Sequence, residues 1–449
     1  MSLEQFGYED QLDRALTLGD LIVYGMIFMV PIAPFSVFGF VWQEARGMVV
    51  LAYLIGLAGM LFTALSYAAM SRAFPLAGSV YAYVQRGLHE TAGFLAGWLI
   101  LLDYILIPAL LYLFSAVALH PLLPRVPAWV WLTGFVALNA AANVLGVRFT
   151  ARLYKVLLVL ELLTLALFVI FGAMALYHGQ GAGRLTLAPL YDPRHFSLRT
   201  VAGATSIAVL SFLGFDGIST LSEESAGARN AIARATVISL VLIGALFMLQ
   251  TWIAADLARG MRFSSAATAF YAIAARAGGA GLGVAAILAV VISFGIANAM
   301  AAEAAVSRVL FAMARDRKLP AVLSAVHPRF KTPYVSTLLV AGVSLLVGLF
   351  FARRIDDLSR VVNFGALSSF ALLHLAVAYH YFFRQRTGAW LRHLIFPLAG
   401  LGVIVYVLYG MDPIAKILGG CWIALGIVYY LARASRSRNR AAAAGIPRG

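Results

Sequence analysis

Four acidic residues fall in stretches that are otherwise apolar: Asp103, Glu161, Asp216 and Glu303. A charge buried in hydrocarbon costs at least about 2.5 kcal/mol even on the mildest scale, so an acid in such a stretch points to a solute path or a proton relay. No Lys or Arg lies deep in the same stretches to neutralise them. A chamber furnished only with negative groups selects positively charged solutes or protons.

Asp216 stands where the apolar stretch 201–221 is cut at Gly214-Phe215-Asp216. A broken helix exposes amides and carbonyls that lipid cannot satisfy, so breaks survive where they face protein, water or a bound solute. A short carboxylate there can accept hydrogen bonds from an ammonium group; it can equally cap the helix that restarts after the break. Asp103 lies mid-stretch beside Tyr104, with Pro108 loosening the helix one turn later. It reads either as a second carboxylate for the same solute or as a hydrogen-bonded structural acid. A diamine bridging Asp103 and Asp216 would explain why both stay ionised.

A matching interruption cuts residues 18–42 at Gly25, Pro31 and Pro34, five apolar stretches earlier. Paired breaks at corresponding positions point to a transporter site. Phe28, Phe35, Tyr104, Phe212 and Phe215 stand beside the breaks or acids and can offer ring faces to a cation, with packing as the competing account for each. Gly25 and Gly214 are expected to sit beside the breaks, whereas most of the 40 glycines serve close helix packing.

The elements that must hold these residues follow from composition. A chain of 449 residues that is 62% hydrophobic and 12% charged, with a mean hydropathy of +0.89, is an all-α integral membrane protein. Apolar stretches of about 20 residues give twelve spans, beginning near residues 18, 49, 93, 127, 154, 201, 231, 284, 334, 360, 394 and 415. With the amino terminus inside, 22 of the 34 basic residues fall on the cytoplasmic side and 12 outside, which is the positive-inside bias. The net charge of +15 is therefore a topology signal, not a nucleic-acid surface. Both termini are placed in the cytoplasm, and the acidic first residues do not read as a cleaved leader. Cys421 is the single cysteine, so no intramolecular disulfide or thiolate metal cluster is available. No phosphate-binding loop, metal cluster or nucleophile elbow occurs, so no cofactor or metal is expected and enzyme chemistry lacks support.

If spans 1 and 6 are the broken ones, spans 1–5 and 6–10 form two five-helix units of opposite orientation, because an odd number of crossings inverts the second. The expected organisation is a cytoplasmic segment 1–15, a first repeat 16–177, an outer loop 178–200, a second repeat 201–382, an added helix pair 383–434 and a disordered basic tail 435–449. Residues 71–91 read as an amphipathic inner connector and 264–279 as an outer loop with a short Ala-rich helix.

Several segments carry a family resemblance: residues 16–35 (LTLGDLIVYGMIFMVPIAPF), 74–83 (FPLAGSVYAY), 97–108 (GWLILLDYILIP), 211–224 (SFLGFDGISTLSEE), Arg315-Asp316 and 363–367 (NFGAL). The chain from about residue 12 to 430 resembles the amino acid/polyamine/organocation permeases, most nearly their bacterial putrescine-importer branch. The resemblance implies a LeuT-like fold, alternating access, and proton-coupled uptake of a small amine or amino acid across the cell inner membrane. Amino-acid-binding members usually show a Gly-Ser/Thr-Gly run in span 1 that holds the substrate carboxylate. Here the stretch Gly25-Met-Ile-Phe-Met-Val-Pro31 has one glycine, which favours a substrate without a carboxylate.

The same resemblance makes spans 5 and 8 neighbours, and thus Glu161 and Glu303. Proton-coupled relatives often carry a Lys at the span 5 position, so an acid departs from their pattern. Two readings stand: the carboxylates share a proton because adjacent like charges repel, or they are unrelated acids facing inner water. Glu223 and Glu224, at the inner end of span 6, form either an ion pair with Arg229 or Arg234 or a gate. His374 reads as a core histidine or a proton relay, and Asn363 and Ser368 as interhelical hydrogen-bonding groups. The partners expected are a cationic small molecule, protons and the bilayer, with a monomer sufficient. An amino acid permease is the alternative, and a channel, a sensor or a membrane-embedded enzyme on the same scaffold are the more distant ones.

Overall fold

The computed structural model describes residues 16–74, 79–146, 151–221, 230–315 and 319–443. Every regular element among them is helical: α1 Leu18–Met29, α2 Pro34–Glu44, α3 Val49–Ala73, α4 Ser79–Gly87, α5 Glu90–Leu119, α6 Ala128–Val144, α7 Ala151–Tyr177, α8 Leu198–Ala208, α9 Ala231–Ala258, α10 Ala269–Val290, α11 Ala299–Arg315, α12 Tyr334–Phe351, α13 Ile355–Val377, α14 Phe396–Gly410 and α15 Pro413–Ala443. Ten helical stretches are long and apolar enough to cross a membrane, and the bent pair α1 and α2 makes an eleventh crossing. α6 is shorter, at 17 residues.

The first expected break is present. α1 starts on a capping box in which Thr17 and Asp20 satisfy each other's backbone, and it ends at Val30, after which α2 leaves at 54°. Pro31 cannot donate to the turn before it, and Pro34 opens the next helix, where a missing N–H costs nothing. Val30 takes φ +52°, a left-handed conformation that costs a β-branched residue about 1–3 kcal/mol. The second break is longer: α8 tightens into a 3-10 turn at Val209–Phe212, Leu213 is extended, Gly214 takes φ +109°, and a 3-10 segment runs over Phe215–Leu221.

Around the breaks, α3 packs on α9, α13 on α5, and α1 on α9. The short helix α4 and the kink at Gly278-Gly279 in α10 occupy the two connectors expected at 71–91 and 264–279. Pro108 does not interrupt α5, which runs through it to Leu119; the effect is local, since the Tyr104 carbonyl loses its usual helical donor.

Two expectations are corrected. The tail expected to be disordered from residue 435 continues as helix to Ala443, in keeping with the high helix propensity of Ala and Arg. Gly25 does not sit at the break but within α1, four residues before its end. A side chain there would run into Ile218 and Ser239, so Gly25 sets the approach of α1 to the inner part of the second break and to α9.

Candidate functional site

The two interruptions meet each other. Gly214 leaves no space for a Cβ, which would lie 2.8 Å from the Phe28 carbonyl oxygen, and its positive φ independently requires glycine. The carbonyls freed at the first break are met by side-chain amides: Gln250 of α9 donates to Pro31 O at 2.9 Å, and Asn298 donates to Phe28 O at 3.5 Å. Buried backbone groups must find partners in a membrane interior, and these two amides supply them.

Asp216 is the second residue of the 3-10 segment Phe215–Leu221 that follows the second break, buried at 3% exposure. Its carboxylate faces the backbone amides of Gly214, Asp216 and Gly217, the groups a cap of this segment would meet. The same group also accepts a 2.7 Å hydrogen bond from the Tyr104 hydroxyl on α5. Asp103, the chain neighbour of Tyr104, is near enough to feel the Asp216 charge. It is buried at 4% exposure, and its Oδ1 has no hydrogen-bond partner. Gly365 of α13 packs directly on the α5 backbone there, where a Cβ would stand 3.0 Å from the Asp103 nitrogen. Two carboxylates and a tyrosine therefore converge where α5 crosses the second break.

The aromatic residues divide. Phe28 lies along Gly214 and Gly217 and tilts against Tyr24 at 5.0 Å. Phe215 packs on Tyr67 and Phe370, and Tyr67 is close enough to feel the Asp216 charge. Phe212, by contrast, turns towards Tyr53 and Phe247, and Phe35 stacks on Phe270 at 4.0 Å. Both of the latter pack among other rings of the core.

Glu161 and Glu303 are not brought together. Glu161 on α7 accepts a short hydrogen bond from Ser293, in the π-helical segment Val291–Asn298. Glu303 on α11 accepts from Tyr112 of α5 at 3.2 Å and from Asn143 of α6 at 3.1 Å. Ser293 and Glu303 are ten residues apart on one helical rod, on the order of 15 Å, so the shared proton expected of this pair lacks a contact to travel through. Each carboxyl keeps one oxygen without a hydrogen-bond partner. Among the described residues, none of the four acids makes an ion pair. Glu223 and Glu224 lie outside the described residues.

His374 is held between Ser66 at 2.8 Å and Thr63 at 3.2 Å, the geometry of a core histidine. Asn363 donates to the Ser206 carbonyl at 2.6 Å. Gln250, Asn298, Tyr67 and Ser79 escaped the sequence reading. Ser79 reaches the hydroxyls of both Tyr67 and Tyr104, and the available signal was its place in the Pro-Leu-Ala-Gly-Ser run. For Gln250 and Asn298 the signal was an amide side chain inside an apolar span.

A family model described as amino acid permease matches residues 15–431. The low-affinity putrescine importer PlaP of Escherichia coli is 31% identical over 96% of this chain and 95% of its own. The branched-chain amino acid permease BcaP of Lactococcus lactis is 28% identical over 95% and 96%, and the methylthioribose transporter of Bacillus subtilis 27% over 94% and 93%. With paired helix breaks, buried acids and near-complete coverage by the family, the chain is a multi-pass membrane transporter belonging to the amino acid permease family.

Proposed function

We propose that this protein is a proton-coupled importer of a small organic cation, most nearly putrescine or a related diamine. The observation that carries the reading is the convergence of Asp103, Asp216 and Tyr104 at the second break, with no basic residue paired to them among the described residues. Two carboxylates in one dry site attract two ammonium groups, and the carbonyls of Phe28 and Pro31 add further acceptors at the first break. Phe28, Phe215 and Tyr104 supply ring faces for the alkyl chain and its charged ends. The name of the Escherichia coli relative supports the same substrate class.

The reading includes a twelve-helix, LeuT-like arrangement in the cell inner membrane with both termini in the cytoplasm: α6 as the fourth crossing, two inverted five-helix repeats, and α14 and α15 as the added pair. Of the two inner acids, Glu161 is assigned the coupling proton. Its single partner, the Ser293 hydroxyl, can donate to the charged carboxylate or accept from the neutral acid. Glu303, held by a phenol and an amide on two other helices, is assigned a structural role.

A second reading, an amino acid permease, is favoured by the BcaP relatives. It conflicts with a first break that holds one glycine and offers carbonyls rather than a nest of amides. Competition by diamines and amino acids against radiolabelled putrescine in reconstituted vesicles, with and without an imposed proton gradient, separates the two. Displacement by a zwitterionic amino acid at lower concentration than any diamine overturns the proposal.

A further inference from the structure

A polar cavity of about 400 Å³ opens between the end of α2, the start of α8, the start of α13 and the turn that joins α14 to α15. Arg360 of α13 is its keystone. One guanidinium nitrogen lies 3.2 Å from Asp412 in the α14–α15 turn, and another lies 3.5 Å from Glu44 at the end of α2. The arginine is the most buried member, with a side chain 15% exposed against 41% for Glu44 and 30% for Asp412. The same turn grips α8 as well. Gly410 packs so closely on Ala202 and Gly203 that a Cβ would collide with them, and the Tyr406 hydroxyl donates to the Leu198 carbonyl at 2.6 Å. Gly203 in turn leaves no space beside the Glu44 carboxylate.

The α14–α15 turn thus touches the outer segments of both broken helices, α8 directly and α2 through Arg360. We infer that Arg360, Glu44 and Asp412 form an outer clasp in which the added helix pair is a working part of the gate: the outer path to the Asp103–Asp216 site opens when these contacts separate. The geometry favours a latch over a fixed weld, because all three side chains are partly hydrated and an ion pair of that kind is worth little on its own. Directly beneath the clasp, Ser206 lines the cavity and lends its carbonyl to Asn363, so movement of α13 at Arg360 is passed to α8 one turn deeper. The inference rests on a carrier that opens alternately to each side and not on the identity of the substrate.

The test is accessibility, measured without substrate so that its failure is separate from any failure of the cation reading. In a Cys421→Ser background, Ser206→Cys is labelled in right-side-out vesicles with a membrane-impermeant maleimide, and Leu187→Cys on the exposed outer loop serves as the control. Arg360→Gln is expected to speed labelling at position 206 by about fivefold, the ceiling for a partly exposed pair, with no change at position 187. Asp412→Asn and Glu44→Gln are each expected to raise it by about twofold. If Arg360→Gln fails to reach the membrane, the two carboxylate variants decide. Unchanged labelling overturns the clasp, and a rise with Glu44→Gln but none with Asp412→Asn overturns the part assigned to the helix pair.

Discussion

The pair Asp103 and Asp216 and the pair Glu161 and Glu303 are alike in type and burial, each residue between 1% and 5% exposed, yet the fold treats them differently. The aspartates meet across two elements, with Tyr104 bonded to one and adjacent in sequence to the other. The glutamates sit in separate hydrogen-bond networks, one closed by a hydroxyl and the other by a phenol and an amide. Burial of like charges does not by itself bring two acids together; Tyr104, bonded to Asp216 and next to Asp103 in the chain, does so here. The aspartates can therefore act together on one solute, whereas the glutamates must be assigned roles one at a time.

The largest effect is expected at Asp216. Asp216→Asn keeps the shape but removes the charge, and losing one member of a buried charged contact costs about 2–5 kcal/mol. At about 1.4 kcal/mol per tenfold, putrescine uptake as kcat/KM in proteoliposomes should fall by about thirtyfold to a few thousandfold. Protein content in the membrane should stay near that of the parent, since the amide oxygen can still accept from Tyr104. An uptake loss below about threefold would make the residue a cap and nothing more.

The next effect separates the glutamates. Glu161→Gln is expected to abolish the component of uptake driven by a proton gradient while leaving counterflow exchange within about twofold of the parent. Glu303→Gln is expected to leave both in place and instead to lower thermal stability, because the amide oxygen can keep both donors, Tyr112 and Asn143, while the new NH2 takes the place of the buried oxygen that has no partner. Equal loss of pH-driven uptake in both variants would restore the shared-proton account.

Much of this was legible in the chain. Gly214, Pro31 and Pro34 marked the breaks because the backbone rules for Gly and Pro hold without knowledge of the fold. The acids stood out because hydrocarbon makes them costly. What could not be read was which acid meets which: Tyr104 and Asp216 are 112 residues apart, and Glu303 and Asn143 are 160. Such contacts depend on helix rotation about its own axis, and spans with polar groups on several faces do not reveal their inward side. The helical run to Ala443 was hidden for another reason: a polar Arg-Ser-Ala composition reads as a tail when no apolar face declares an element.

Within the aspartate pair, Asp103 should matter less than Asp216 and in a different way. Its carboxylate has an unpartnered oxygen and no bond to Tyr104, so it is positioned for the second ammonium of a diamine. Asp103→Asn is expected to raise KM for putrescine by about tenfold, the value of one charged hydrogen bond, and to leave a monoamine of the same length nearly unaffected. A uniform loss for both amines would return Asp103 to a structural role.

The smallest effect belongs to an acid outside the comparison, which serves as its reference. Asp192, in the loop between α7 and α8, accepts from His195 at 3.0 Å and from the Arg194 amide at 3.0 Å. The His195 contact holds its carboxyl below the usual carboxylate range. A lowered value means that the contact is fully present above the ordinary carboxylate range and is lost only as pH falls through the lowered one. Between about pH 5 and about pH 8 the Asp192 carboxylate itself therefore keeps its negative charge. Asp192→Asn should leave both uptake and its pH profile unchanged. A shifted profile in that variant would mean that an exposed acid can imitate Glu161, and the assignment of the coupling proton by burial and partner would lose its basis.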